Sequence, residues 1–258
     1  MDRALLLPVP GSRGLPRSRR NPYTCAMDLN LVQIVAAAII PVLFAITLHE
    51  VAHGWVARVF GDHTAFVMGR LSLNPLRHVD PVGTVALPAG LIILGYLSGT
   101  LIPIFGWAKP VPVHFGNLTQ PKRDMIWVAL AGPGANLLMA LFWSVVAGVG
   151  GAVLATGSIG FSFVVAMGVI GIYINLILMV LNLLPLPPLD GGRVAVGLLP
   201  QPASRWVSYL EPFGLPLLLI LLFTGALGSL IIGPFLFLFQ TLFRLSGLEP
   251  SILSGIFG

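Results

Sequence analysis

Two histidines and a glutamate lie inside an otherwise apolar run, ITLHEVAHGWVA, at positions 46–57. His49 and His53 are four residues apart, so on an α-helix both imidazoles share one face, about 6 Å apart along the axis. Two neutral imidazoles so arranged can hold one Zn²⁺, with Glu50 near the metal rather than on it. Glu50 could take a proton from a water that zinc activates and pass it to a leaving amine. The HExxH spacing therefore predicts metal-dependent hydrolysis with Glu50 as the catalytic base.

A catalytic zinc site needs three protein ligands and an open fourth position. Metzincins carry a third histidine six residues after the second, but that position is Val59 in this chain. Three further histidines lie in polar or extended stretches, and we interpret them as surface or loop residues: His63, His78 and His114. Asp190 follows prolines that end a helix and precedes two glycines that allow tight backbone geometry. Alone it would indicate a helix-ending turn; together with the histidine pair it predicts the third ligand.

The composition indicates a protein that crosses a membrane several times. Only 9% of the residues are charged, against about 25% in ordinary soluble domains. The mean hydropathy is +0.94, and several apolar runs approach the roughly 20 residues that span a bilayer. From Met27 onward, Glu50 and Asp190 are the acidic residues that lie within or against apolar sequence. Ionisable groups in a membrane are costly and are rarely without a function, which favours a metal site.

The apolar segments predict an all-α polytopic membrane protein, with helices near 29–60, 82–105, 125–155, 161–184 and 212–243. The last region could be one tilted helix or a hairpin around Gly225 to Gly228. Positive residues flank segment ends, and the positive-inside rule places four of them in the cytoplasm: Arg58, Lys122, Arg123 and Arg193. That orientation leaves segment 82–105 with both ends inside, which predicts a re-entrant element, as Pro88 and Gly90 would permit.

Residues 1–26 differ in composition from the rest and supply +4 of the net charge of +5. They lack the order of charge, apolar core and cleavage site of a signal peptide, so we interpret them as a disordered leader or a mis-assigned start. We favour Met27 as the true beginning. We expect a core at 27–205 and a C-terminal transmembrane region at 206–258. The remainder offers no basic face for nucleic acid, and Cys25, the only cysteine, excludes an internal disulfide and a thiolate metal site.

Two polar stretches favour a small β-hairpin on the cytoplasmic side. Apolar and polar residues alternate over part of 65–73, and residues 109–115 read as an extended stretch marked by prolines. Both are weak strand signals.

The stretches HEVAHGWVA and NLLPLPPLDGG together resemble the site-2 protease family of intramembrane zinc metalloproteases. GRLSLNPLRHVDPVGT, FGWAKPVPV and AGPGAN are similar to its compact branch, which lacks PDZ and CBS domains. The resemblance covers most of residues 40–195. It implies a site-2-protease-like transmembrane core, with one Zn²⁺ per chain held by His49, His53 and Asp190 and with Glu50 as base. It also implies cleavage of transmembrane proteins within the lipid bilayer, and a prokaryotic plasma membrane as the location.

The resemblance assigns roles to further residues. Asn182 would face the cleft and hold the substrate backbone or the developing oxyanion, although an interhelical hydrogen bond would also account for it. Asn136 stands among small residues in AGPGAN, where helix packing is the better account than catalysis. The stretches 65–73 and 109–115 could offer a strand edge to an unwound substrate.

Two other functions compete with proteolysis. A divalent-metal transporter also needs buried histidine and carboxylate ligands, but transporters distribute them over several helices along a pathway. A catalytically inactive relative could bind membrane proteins, but the intact Glu50 argues against it. The sequence indicates no nucleic-acid partner and gives no signal for an oligomeric state.

Overall fold

The computed structural model describes residues 29–99 and 106–257; the leader and Cys25 lie outside them. The described helices are α1 Leu31–Val59, α2 Thr64–Val67, α3 Leu87–Ser98, α4 Pro121–Leu154, α5 Ser162–Asn182, α6 Asp190–Leu198, α7 Ala203–Tyr209, α8 Gly214–Phe223, α9 Ala226–Leu245 and α10 Ser251–Phe257. A π-helical turn leads into α3 at Pro81–Ala86, and 3₁₀ turns lie at Pro75–Arg77, Phe115–Asn117, Ile159–Phe161 and Glu211–Phe213.

Six helical stretches among the described residues are long and apolar enough to cross a membrane. They are Val32–Val59, Pro81–Ser98, Pro121–Leu154, Ser162–Asn182, Ala203–Phe223 and Ala226–Leu245. The predicted all-α polytopic architecture is confirmed, and the chain is a multi-pass membrane protein. Residues 100–105 lie outside the described part, so the re-entrant course of 82–105 stays a prediction.

The core that positions the site consists of α1, α4 and α5. Helix α4 packs along α5, and both pack against α1. Small residues bring the backbones close: a Cβ added at Gly168 on α5 would lie 2.7 Å from Ala147 on α4. Such contacts hold helices together in lipid, where van der Waals packing replaces much of the hydrophobic drive. The site therefore lies among closely packed helices.

The predicted β-hairpin is wrong: residues 65–73 and 109–115 are both described, and neither contains a strand. The first stretch begins in the short helix α2. The second belongs to an extended segment, residues 106–114, which we call the crossing segment. Pro110 and Pro112 have no N–H to give to a strand ladder. The crossing segment is held at single points instead: Trp107 N–H donates to Gly83 O at 3.1 Å and Lys109 N–H to His78 O at 2.8 Å.

The last apolar region is two helices, α8 and α9, rather than one. They separate at Gly225, whose φ of +77° lies in the left-handed region that glycine adopts without strain. This is the hairpin alternative of the sequence analysis. Helices α9 and α10 return to the core, where Phe239 and Ile252 are buried in one hydrophobic cluster with residues of α4 and α5.

Candidate metal centre

His49 and His53 lie one turn apart near the C-terminal end of α1, and both are buried. Their Nε2 atoms are 3.0 Å apart, so the helical spacing brings the two imidazoles to one point, as the sequence predicts. The ring planes are nearly perpendicular, at 82°. Each ring thus reaches the shared point from its own direction.

Asp190 meets the histidine pair from a distant part of the chain. It is the first residue of α6, after the proline-rich turn that ends α5. Its Oδ2 atom lies 3.2 Å from His49 Nε2 and 3.3 Å from His53 Nε2. The turn is tight, because a Cβ on Gly191 would lie 2.2 Å from the Leu184 carbonyl oxygen. The structure therefore brings together the three side chains that the sequence analysis selected.

The donor set fits zinc. The three ligand atoms form a triangle with edges of 3.0, 3.2 and 3.3 Å. Ligands at about 2.0–2.1 Å from a tetrahedral zinc lie about 3.3 Å from one another. Asp190 Oδ2 is buried and accepts no hydrogen bond, which is costly unless a cation sits beside it. His49, His53 and Asp190 thus form a buried group that can hold one metal ion.

Hydrogen bonds on the far side of each imidazole fix its orientation. His49 Nδ1 donates to Asn136 Oδ1 at 2.5 Å, and His53 Nδ1 donates to the Val128 carbonyl at 2.7 Å. Because each Nδ1 donates a proton, each Nε2 keeps its lone pair for a metal. Asn136 therefore contacts a candidate ligand directly, which is more than the packing role that the sequence analysis favoured.

Gly132 on α4 lets that helix approach the histidine pair. A Cβ at this position would lie 2.3 Å from His53 Nε2 and 2.6 Å from His49 Cε1. The small residues of AGPGAN thus serve close packing, as expected, and Gly132 packs against the candidate metal centre itself.

Glu50 lies beside the histidines and is half-buried. Its Oε2 accepts the backbone N–H of Val111, in the crossing segment, at 2.7 Å. Glu50 and His49 line a cavity of about 650 Å³. The cavity wall is largely apolar, with leucines from α5 and α8, and the crossing segment contributes Gly106, Trp107 and Ala108.

Asn182 also lines this cavity, at the last residue of α5. Its Nδ2 donates to the Leu178 carbonyl of its own helix at 3.0 Å. The interhelical hydrogen bond that competed with a site role is not the contact observed. A role with substrate stays a prediction.

The three remaining histidines lie apart from the metal centre. His63 and His114 are exposed, as interpreted from the sequence. His78 lies in a loop but is only 1% exposed, and its Nε2 donates to the Ser72 carbonyl at 2.8 Å. It is a buried loop residue that supports the crossing segment.

The sequence analysis gave Asn175 no role in the site, and it did not foresee that Val111, within the stretch 109–115, bonds to Glu50. Asn175 is fully buried and bonds to Asn136. It lies seven residues, or two helical turns, before Asn182. A polar amide inside an apolar helix is the sequence signal that could have marked Asn175 as a site residue. Val111 acts through its backbone N–H, which side-chain patterns do not reveal.

No protein-family profile and no solved structure matches the chain. Curated relatives do. The chain is 37% identical to "Putative zinc metalloprotease YwhC" of Bacillus subtilis (strain 168) over 202 residues, which cover 77% of this chain and 84% of that protein. It is 32% identical over 202 residues to "Putative zinc metalloprotease Rip2" of Mycobacterium tuberculosis (strain ATCC 25618 / H37Rv), covering 77% of this chain and 71% of Rip2.

The fold, the buried ligand group and these relatives define a multi-pass membrane metalloprotease that uses zinc. The chain belongs to the site-2 protease family.

Proposed function

We propose that the chain is an intramembrane endopeptidase that hydrolyses peptide bonds of transmembrane substrates. His49, His53 and Asp190 hold the zinc, and Glu50 is the catalytic base. One observation carries the proposal: two imidazole nitrogens and one carboxylate oxygen converge to within 3.3 Å of one another, buried among helices of membrane length. Outside such a site, burying these groups together in lipid would cost several kcal/mol, on the order of 3 or more for each charge.

Glu50 moves the proton. Zinc, when bound, makes water nucleophilic near neutral pH and polarises a carbonyl. The Val111 N–H holds Glu50 Oε2, which leaves Oε1 to take a proton and return it to the departing amine. Glu50 follows a ligand directly on α1, so its distance from the reacting atoms is set by the helix.

The cavity suits an unwound stretch of a transmembrane helix. Its volume of about 650 Å³ lies within the usual range of about 300–1,000 Å³ for binding sites. The apolar walls, with Leu178 and Leu181 on one side, match the side chains that such a substrate brings. The C-terminal region of the protein also contributes to this cavity, because Leu215 and Leu218 of α8 line it. The core at 27–205 thus acts together with part of region 206–258.

The crossing segment offers main-chain contacts without forming a strand. Trp107 N–H bonds to Gly83 O, and Trp107 O accepts from Thr84 Oγ1 at 2.8 Å. In extended backbone the next residue directs its groups to the opposite side. Ala108 is next and lines the cavity, so its N–H and carbonyl can pair with an extended substrate.

Asn182 binds the substrate carbonyl in this proposal. One Nδ2 proton is donated to Leu178 O, and the amide has a second proton to give. Donors placed where negative charge develops stabilise a tetrahedral transition state.

The site lies toward the cytoplasmic side in this proposal. Arg58 lies in the last turn of α1, and His53 precedes it by five residues, about 8 Å. Lys122 and Arg123 lie in the first turn of α4, and Arg193 lies in the first turn of α6. The positive-inside rule then places the zinc just below the cytoplasmic headgroups of a bacterial plasma membrane.

The test compares the wild type with Glu50→Gln in vesicles that contain a single-span substrate. We expect one zinc per chain in both proteins, and cleavage slower by about 10²–10⁴-fold in the variant. Zinc uptake into the same vesicles measures the rival transport function. Unchanged cleavage by the variant would remove Glu50 as base, and uptake without any cleavage by the wild type would favour the transporter.

A further inference from the structure

A chain of two buried amides connects His49 to the backbone of α5. Asn136 Oδ1 accepts from His49 Nδ1, and Asn136 Nδ2 donates to Asn175 Oδ1 at 3.0 Å. Asn175 Nδ2 donates to the Gly171 carbonyl at 2.8 Å. Asn136 is 1% exposed and Asn175 is 0% exposed. This series of hydrogen bonds therefore lies wholly inside the protein and leads from α1 through α4 to α5.

The direction of this chain is set at its far end. A backbone carbonyl such as Gly171 O can only accept, so Asn175 must turn its NH₂ group toward it. Asn175 Oδ1 then faces Asn136 and requires a donor there. Asn136 must therefore turn its NH₂ group toward Asn175 and its oxygen toward His49.

The orientation of the Asn136 amide decides which nitrogen of His49 is free. If Oδ1 faces the imidazole, Nδ1 carries the proton and Nε2 keeps its lone pair. If the amide were reversed, its NH₂ group would face Nδ1, which would then have to accept, and the proton would move to Nε2. A protonated Nε2 cannot bind a metal.

We infer that Asn175 is a positioning residue for the zinc site: through Asn136 it holds His49 in the tautomer whose Nε2 binds zinc. The inference rests on the proposed ligand set and adds to it a residue that touches neither metal nor substrate. Asn136 Nδ2 has a second acceptor in the Ala45 carbonyl, at the longer distance of 3.3 Å. Loss of Asn175 should therefore weaken zinc binding without abolishing it.

The first experiment measures zinc affinity in the full-length purified protein, by competition with a chromophoric chelator. Asn175→Leu keeps the branching at Cγ, with a modest increase in volume, and removes both hydrogen bonds. We expect zinc to bind about three- to tenfold more weakly, below the roughly 10- to 100-fold that direct partners of metal ligands contribute. Ser144→Ala is the matched control, because Ser144 is buried on α4 and donates to the Leu242 carbonyl at 2.8 Å, away from the metal centre. It should lower thermal stability and leave zinc affinity unchanged.

The second experiment separates orientation from packing. In Asn136→Asp both side-chain oxygens accept hydrogen bonds. His49 Nδ1 therefore faces an acceptor in either orientation of the carboxylate. In that background Asn175→Leu should no longer weaken zinc binding. An equal loss in both backgrounds, or no loss in the first, would overturn the inference.

Two further variants cover folding and the ligand set. If Asn175→Leu does not fold, Asn175→Ala replaces it; if neither folds, Asn175 is structural and the inference fails. His49→Ala should abolish high-affinity zinc binding. Zinc retained in His49→Ala contradicts the ligand set itself, whereas zinc lost there but unchanged in Asn175→Leu contradicts the positioning role alone.

Discussion

The backbone N–H of Val111 donates to Oε2 of Glu50 across 2.7 Å. This hydrogen bond connects the proposed base to a segment that is distant in sequence from its own helix. The segment is itself held from behind. Arg70 donates from one guanidinium nitrogen to the carbonyls of Lys109 and Pro110, both at 3.2 Å. The position of Glu50 thus depends on contacts that the HExxH motif does not contain.

Val111→Pro should reduce cleavage while zinc content stays normal. Proline removes the N–H that Glu50 accepts, so the carboxylate loses its anchor without any change in the proposed ligands. We expect a fall in kcat of about tenfold or more, corresponding to about 1.4 kcal/mol in the barrier. Val111→Ala is the control, since it keeps the N–H and should cleave at close to the normal rate. Equal rates for the two variants would show that the hydrogen bond is irrelevant to catalysis.

Gly132→Ala should weaken zinc binding by about 10- to 100-fold, as displacement of a ligand's support does. The added Cβ would lie 2.3 Å from His53 Nε2, so the imidazole must move. Gly134→Ala makes the same change two residues away on α4, where a Cβ meets nothing within 4 Å. It should bind zinc normally, as metal analysis of both purified variants can determine. Normal zinc binding by Gly132→Ala would contradict the close approach seen here.

Removal of zinc by a chelator should stop cleavage, and added zinc should restore it. In Asp190→Ala the same zinc concentration should fail to restore activity, because the third ligand is gone. Asp124→Asn provides the comparison: Asp124 is also buried, but it accepts the Gln120 N–H at 2.6 Å at the start of α4. Its activity should recover with zinc. Full recovery of Asp190→Ala would exclude Asp190 as a ligand.

Asp62 should stabilise the loop after α1 in a pH-dependent way. Burial acts to raise the pKa of Asp62, but hydrogen bonds from Thr64, His114 and Asn117 outweigh it and hold the pKa below its usual range. A carboxyl with a lowered pKa in the folded state stabilises above its unfolded pKa of about 3.9, and the contribution is lost as pH falls through the folded value.

Asp62→Asn places an NH₂ group against a donor and should cost about 1–3 kcal/mol in the free energy of unfolding at pH 7. The difference from wild type should persist down to about pH 5 and shrink below about pH 4. Thermal unfolding across this range measures it. Asp80→Asn should be nearly neutral, because Asp80 uses Oδ1 alone to accept the N–H groups of Val82 and Gly83, and asparagine caps equally well. A pH-independent difference for Asp62→Asn would refute the assignment.

Much of the fold follows from hydropathy and helical periodicity. The apolar runs predicted the long helices, because in lipid a helix satisfies all of its own backbone groups. The sequence predicted that Asp190 meets the histidine pair because few other carboxylates lie within or against apolar sequence. Because ionisable residues are rare in apolar segments, candidate metal ligands are easier to identify from sequence in a membrane protein than in a soluble one.

The conformation of the crossing segment and the hydrogen bonds between Asn136 and Asn175 could not be predicted from the sequence. Extended backbone that bonds at single points, as Trp107 does to Gly83, gives the same sequence pattern as a strand. Asn136 and Asn175 look alike whether they join helices or orient a ligand, because an amide can do either. Only the three-dimensional arrangement distinguishes these roles.

None of the residues of α3 is buried, yet α3 and the turn before it bring Gly83, Thr84 and Pro88 into the cavity wall. We therefore expect acyl chains, rather than the described part of the protein, to lie against one side of this cavity. A change in bilayer thickness changes the tilt of a helix that is not held by neighbouring helices. We accordingly expect the width of the cavity, and with it the rate of the proposed cleavage, to depend on the surrounding lipid as well as on the polypeptide.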